Sequence, residues 1–406
     1  MGLRAATLPP GASSLRDRRG ASIMQPMVMR TPYDTRFYRV CGLLLAALAS
    51  LAPMSQFAAA QEAGRPGRPD QSGAATPKSQ RRLPRGFLAR ALKMPDGKSR
   101  KYAIFIPPQY NDDVNHRWPV ILFLHGSGEI GADGIRQTTV GMPVYVARLA
   151  ARFPFIVVMP QAHKMWFRGE EATAVSLIME EVHHDYRTDR DRVYLTGLSM
   201  GGFATWEMSI FRPDLFAAIV PVCGIAPLQY IKNIVHIPVW AFHGSLDKNV
   251  PVSGSRDAVA ELKRLGASPK YTEYPNLGHK CWDLAYDNPE LYRWMLQFRR
   301  PPPPRVIDYS FPAGIVRVWW LVVEGEKKPK RPPHVRAEIR DDGRVEIVSE
   351  GVIGWALISD AEPLPPGREI DVTWNGKPVF KGKFEGILAL EPPRPSGAST
   401  QPSPGR

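Results

Sequence analysis

The chain has 406 residues, more than one average domain, and 44% of them are apolar, enough for a sizeable core and too many for a wholly disordered chain. The formal charge is +14, but residues 1–60 hold seven Lys/Arg against two Asp/Glu, and the other 46 basic and 37 acidic residues are dispersed apart from a cluster at Lys327, Lys328, Lys330 and Arg331. Nucleic acid is therefore excluded as an expected partner; the charge argues only for solubility and weak attraction to polyanions.

Residues 1–60 read as a leader with a signal peptide. Arg36 and Arg39 precede an apolar run from Val40 to Ala52, and small residues follow up to Ala58-Ala59-Ala60-Gln61. The run falls short of the ~20 residues of a membrane span, so a secreted or periplasmic product with no stable span is expected. Once Cys41 is assigned to the leader, Cys223 and Cys281 remain; two buried free thiols are the expected state, although such a compartment permits a disulfide. Residues 61–85 are rich in Gly, Pro, Ser, Gln and Arg and are expected to be a disordered linker.

From 86 to 300 short runs rich in Val, Ile, Phe and Tyr alternate with segments of helical length. The runs are Lys101 to Ile106, Trp118 to His125, Phe155 to Pro160, Arg192 to Gly197, Ala217 to Cys223, Pro238 to His243 and Lys270 to Tyr274. Helices are expected over Glu171 to Tyr186, Gly201 to Phe211, Ser253 to Leu265 and Pro289 to Phe298. Nearly continuous apolar strands alternating with helices indicate an α/β fold with a doubly wound, mostly parallel sheet.

Pro301 to Pro304 end this pattern and stiffen a linker. Residues 305–387 then show short alternating strands, at Ile315 to Val323, Val335 to Ile339, Arg344 to Val348, Trp355 to Ser359, Glu369 to Trp374 and Pro378 to Lys381, with Asp342-Gly343 and Asn375-Gly376 turns. This reads as a small C-terminal antiparallel β domain, an accessory module, followed by a disordered tail over 388–406. Trp319, Trp320, Trp355 and Trp374 are candidates for a carbohydrate platform, though alternation places Trp319 and Trp320 on opposite faces and so at least one in the core.

The chemistry lies in Gly197-Leu198-Ser199-Met200-Gly201, between an expected strand and an expected helix. A sharp turn there exposes a serine hydroxyl at the carboxyl end of the strand, and the flanking glycines leave room for neighbouring backbone. Upstream, a strand ends in His125-Gly126-Ser127-Gly128-Glu129, whose glycine-flanked backbone can aim an N–H at an oxyanion. The first donor is expected at Ser127, with Gly126 the alternative, and the second at Met200. Glu129 and Asp133 lack the His or Cys companions of a metal site and read as supports of this turn.

A serine needs a base, and the base a carboxylate to fix its tautomer. Asp247 follows one late strand and His279 the next, 48 and then 32 residues on. Asp257 and Glu261 fall within a helix and Asp283 lies past the base, so Ser199, Asp247 and His279 are the expected catalytic set. The other histidines, including His125, His183, His184 and His243, read as structural. Gln161, Trp166 and Trp282 fall in loops at the carboxyl edge of the sheet and are candidate substrate-binding residues. No metal and no cofactor are expected.

At His125-Gly126-Ser127-Gly128-Glu129, Pro160-Gln161, Gly197 to Gly202 with Trp206, Arg212 to Ala218, Gly278-His279, Trp282 and Pro289 to Tyr292, the sequence resembles the α/β-hydrolase superfamily. Within it, residues 100–299 look like the secreted esterase branch that includes feruloyl-esterase-like, polyhydroxybutyrate-depolymerase-like and prolyl-oligopeptidase-family proteins. The resemblance implies a secreted serine hydrolase acting on carboxylic esters through an acyl-enzyme, on small-molecule or polymer-linked substrates including carbohydrate-borne ones. A serine peptidase and a non-catalytic binding protein are the alternatives. Related feruloyl esterases often carry cysteines beside the nucleophile and the base; here those neighbours are Leu198 and Lys280.

Overall fold

The computed structural model describes residues 85–390, except 167, 168 and 360. The expected leader, nearly all of the linker and most of the tail lie outside the described residues.

The first sheet has eight strands: β1 (Gly86–Lys93), β2 (Ser99–Ile106), β3 (Trp118–Leu124), β4 (Ile156–Pro160), β5 (Thr188–Leu198), β6 (Ala218–Val222), β7 (Trp240–Gly244) and β8 (Lys270–Tyr274). Their order is β1-β2-β4-β3-β5-β6-β7-β8. The pairs β1–β2 and β2–β4 are antiparallel and the rest are parallel. Every residue of β3, β4, β6 and β7 is buried, as required when helices cover both faces.

The strand period sorts the core into two layers. On β3, Val120, Leu122 and Leu124 enter one cluster and Ile121 and Phe123 the other. Helices α2 (Glu170–Asp185), α3 (Met200–Phe211) and α4 (Ser253–Arg264) cover the first face, through Val175, Ile178, Ala204, Ile210, Val259 and Leu262. The second face is covered by α1 (Met142–Arg148), α5 (Trp282–Tyr286) and α6 (Pro289–Met295), through Met142, Val146, Tyr286, Leu291 and Met295. Three elements escape the sequence pattern, among them the five-residue α5. Strand β1 is an edge strand whose burial alternates incompletely, and α1 is a two-turn helix lacking a long amphipathic period.

The β region comprises β9 (Val306–Ser310), β10 (Gly314–Val318), β11 (Leu321–Gly325), β12 (His334–Ile339), β13 (Arg344–Glu350), β14 (Val352–Ile358), β15 (Glu369–Trp374), β16 (Lys377–Lys383) and β17 (Ile387–Leu390). Two sheets, β10-β11-β14-β17 and β16-β15-β13-β12-β9, enclose one core. Pairing is antiparallel except between β13 and β15. The expected strand at Ile315 to Val323 is instead a hairpin, because Trp319 (φ 50°) and Trp320 form its two-residue turn. Trp320, Trp355 and Trp374 are all buried, which removes them from any exposed sugar platform. Pairing also runs to Leu390, past the expected start of the tail.

This region docks on the far end of α3. The Tyr309 hydroxyl donates to the Ile210 and Phe211 carbonyls, Asn233 exchanges hydrogen bonds with Ser310, and Lys232 pairs with Asp308 at 2.9 Å. Among the described residues no helix is long and apolar enough to cross a membrane.

Candidate active site

Strand β5 runs into Ser199, where the backbone turns through φ 53°, ψ −117° before α3 begins. A serine pays strain to sit there. Crowding explains the glycines on either side. A Cβ on Gly201 would lie 1.9 Å from the Leu124 carbonyl oxygen, and one on Gly197 would lie 2.4 Å from that of Gly201. The Ser199 N–H donates to the Val222 carbonyl at 2.9 Å, referencing the turn to the end of β6.

Asp247 and His279 arrive on the loops after β7 and β8. His279 Nε2 is 2.8 Å from Ser199 Oγ, and its Nδ1 is 2.7 Å from Asp247 Oδ2. The other carboxylate oxygen accepts from the Asn249 and Val250 amides, both at 2.9 Å. Burial pushes the Asp247 carboxyl up, but the Val250 and Asn249 amides and His279 outweigh it and hold the group below the usual carboxylate value. The His279 imidazole is held above the ordinary histidine value by the Cys223 sulfur and the Asp247 carboxylate, against burial. Trp282 packs edge-on against the His279 ring, with centroids 5.2 Å apart.

Ser127, Met165, Ser199, Met200 and Phe203 line a shallow cleft of about 200 Å³. Met200 opens α3, so its N–H has no carbonyl one turn back within the helix. Among the described residues the Ser127 N–H is not spent on a backbone carbonyl either. The Gly126 carbonyl accepts from the Glu129 N–H, which closes this turn. Ser127 and Met200 line the cleft together with Ser199, and Gly126 is the residue just before Ser127.

The turn is braced from behind. His125 is buried and neutral, its titration lowered to about 4 by burial. Its Nε2 accepts from the Ala162 N–H at 2.9 Å, which leaves Nδ1 to donate to the Gly126 carbonyl at 2.6 Å. The Trp166 indole N–H donates to the His125 carbonyl. Gln161 donates to the Glu129 carbonyl and to Asp133, and accepts from the Gly134 N–H. Gln161 and Trp166, each only 2% exposed, therefore support the turn and do not line the cleft. Met165 and Phe203 take the apolar lining positions. Phe203 follows from helical spacing, one turn after Ser199, whereas Met165 carries no sequence signal.

The metal-type cluster among the described residues, Cys223, His243 and Asp247, coincides with the acid of the site, and both Asp247 oxygens are already hydrogen-bonded. Nothing in this donor set calls for an ion.

Residues 100–239, which include β2 to β6 and the Ser199 turn, match the family model described as Esterase PHB depolymerase. The sheet order and the two helical layers are those of an α/β-hydrolase fold. The chain is 24% identical over 186 residues to the putative esterase NocK of Nocardia uniformis subsp. tsuyamanensis, covering 43% of this chain and 52% of that protein. It is 34% identical over 85 residues to poly(3-hydroxyalkanoate) depolymerase C of Paucimonas lemoignei, covering 17% of this chain and 20% of that one. A crystal structure of a thermostable esterase aligns with 33% identity and a TM-score of 0.49, over 53% of this chain and 63% of its own. The chain thus spans about half, or less, of the length of these two curated relatives.

Proposed function

We propose that this α/β-hydrolase is a secreted serine esterase that cleaves carboxylic esters through an acyl-enzyme. The observation that carries the reading is the unbroken line from Asp247 through His279 to Ser199, with contacts of 2.7 and 2.8 Å. Ser199 Oγ attacks the ester carbonyl while His279 Nε2 takes its proton. Asp247, ionised, holds the Nδ1–H tautomer and stabilises the imidazolium that forms. The amides of Ser127 and Met200 face the developing oxyanion, each such donor being typically worth ~3 kcal/mol in the transition state. His279 then protonates the leaving alcohol, and water, activated by the same imidazole, releases the acid.

The cleft supports a short acyl group. It is shallow, with apolar walls from Met165, Met200 and Phe203, and it opens to solvent where the alcohol side of a larger substrate would project. The kinship with a putative esterase and a poly(3-hydroxyalkanoate) depolymerase supports an ester, including one borne on a polymer. Residues 86–300 are the catalytic domain in this reading and 305–387 an accessory β domain. Secretion rests on the leader sequence.

Turnover of p-nitrophenyl acetate against a peptide anilide tests the reading. The ester is expected to be cleaved and the anilide left intact. Cleavage of anilides alone makes the protein a peptidase.

A further inference from the structure

We propose that Cys223 and Cys281 form a disulfide in an oxidising compartment, and that this bond pins the loop carrying His279 to the end of β6. The bond does not depend on the esterase reading; only its effect on turnover rests on it.

The two sulfurs lie 58 residues apart in sequence and 3.1 Å apart in space, about an ångström beyond the ~2.05 Å of a disulfide. Both residues are buried unbonded thiols whose sulfurs are already in mutual contact. Their placement is what gives the bond a role. Cys223 sits at a left-handed φ of 51°, strain that an alternative turn residue would avoid. In that conformation its N–H donates to the Phe242 carbonyl on β7 at 2.9 Å, and its sulfur lies 3.2 Å from the His279 carbonyl. The preceding carbonyl, of Val222, accepts from the Ser199 N–H. The end of β6 is therefore in direct contact with the serine turn, the strand leading to Asp247, and the His279 loop. Cys281 follows two residues after His279 and is the N-cap of α5. A covalent link here fixes the base to the same strand end that holds the nucleophile.

The chemistry is thiol–disulfide exchange with an external disulfide, either oxidised glutathione or a thiol oxidase, during folding while the sulfurs are accessible. One cysteine thiolate attacks the external disulfide and expels a thiol. The other attacks the mixed disulfide and expels the second thiol. Two electrons and two protons pass from the cysteine pair to the external disulfide.

The test compares the protein made in an oxidising secretory compartment with the same protein made in a reducing cytosol, both denatured and alkylated without reductant. The expected result is a linked peptide pair carrying Cys223 and Cys281 in the first and two alkylated cysteines in the second. The thermal midpoint is expected to be several degrees higher for the linked protein. That difference should vanish in Cys281→Ala, which keeps the Cys223 thiol beside the His279 carbonyl. Full alkylation of both residues in the oxidising preparation, or equal midpoints for linked and unlinked forms, overturns the proposal. Fluorophosphonate labelling of Ser199 in both preparations separates the two readings: label without linkage sinks only the disulfide, and linkage without label sinks only the serine hydrolase.

Discussion

His243 and His279 meet on a single atom: Asp247 Oδ2 lies 3.1 Å from His243 Nε2 and 2.7 Å from His279 Nδ1. The Val250 carbonyl, which only accepts, is also 3.1 Å from His243 Nε2, so that nitrogen carries the hydrogen and Nδ1 accepts from the Ser255 hydroxyl. Burial lowers the titration of His243, making it a neutral donor that supports the carboxylate without adding a competing charge.

His243 is therefore a positioning residue. A hydrogen bond to a charged group contributes ~1.5–3 kcal/mol, so His243→Leu is expected to lower kcat about 10- to 100-fold with little change in KM for a small ester. His243→Asn, which retains a donor, should recover part of the loss. Equal kcat in the leucine variant would show that Asp247 needs no second partner.

How much of this was legible follows from how local each signal is. The Ser199 turn depends on residues within two positions of the serine, so Gly197 and Gly201 announce it. Asp247 and His279 follow from strand order alone. His243 was passed over because it lies within β7, and only the inward turn of its side chain brings it to Asp247, four residues on. Gln161 and Trp166 are in the expected loop, yet their polar atoms are consumed by the turn they support. The Trp319-Trp320 hairpin reads as one strand because a two-tryptophan turn lacks Gly, Asn and Asp. Strands β9 and β17 are short, and neither carries a long alternating run.

Ser127→Pro isolates one oxyanion amide. Ser127 opens a 3₁₀ turn, a position where proline is tolerated, and Gly126 before it is extended at ψ 179°, as a residue preceding proline requires. The variant is expected to fold with an unchanged melting temperature and to lose about 10²–10³ in kcat. Loss below tenfold would assign the oxyanion to other donors.

The pH profile has a fixed sign. His279 must be neutral to take the Ser199 proton, and in the protein with Cys223 as a thiol its titration lies above the ordinary 6.5. kcat/KM should therefore be low in acid and rise with pH through a midpoint above 6.5. Asp247→Asn removes one of the raising partners, so the midpoint should fall while kcat drops by about 10⁴-fold. A midpoint that stays put in that variant would detach His279 from Asp247.

The β region contacts Ile210 and Phe211, roughly 16–18 Å along α3 from Ser199 at 1.5 Å per residue. A chain ending at Arg300 is expected to keep most of its turnover of a small soluble ester, to melt at a lower temperature because the Tyr309 and Asn233 contacts are gone, and to lose activity chiefly on polymeric substrate. Circular dichroism establishes that the shortened chain is folded. A folded chain with collapsed small-ester turnover would place the β region in control of the cleft.

The central claim is that the acyl group passes through Ser199. Mixing the protein with p-nitrophenyl acetate, quenching in acid within milliseconds and mapping the peptides by mass tests it directly. The account predicts one acetyl group on the peptide containing Ser199, formed with a burst of p-nitrophenol and absent in Ser199→Ala. Steady turnover with no acetylated Ser199, undiminished in the alanine variant, would contradict it.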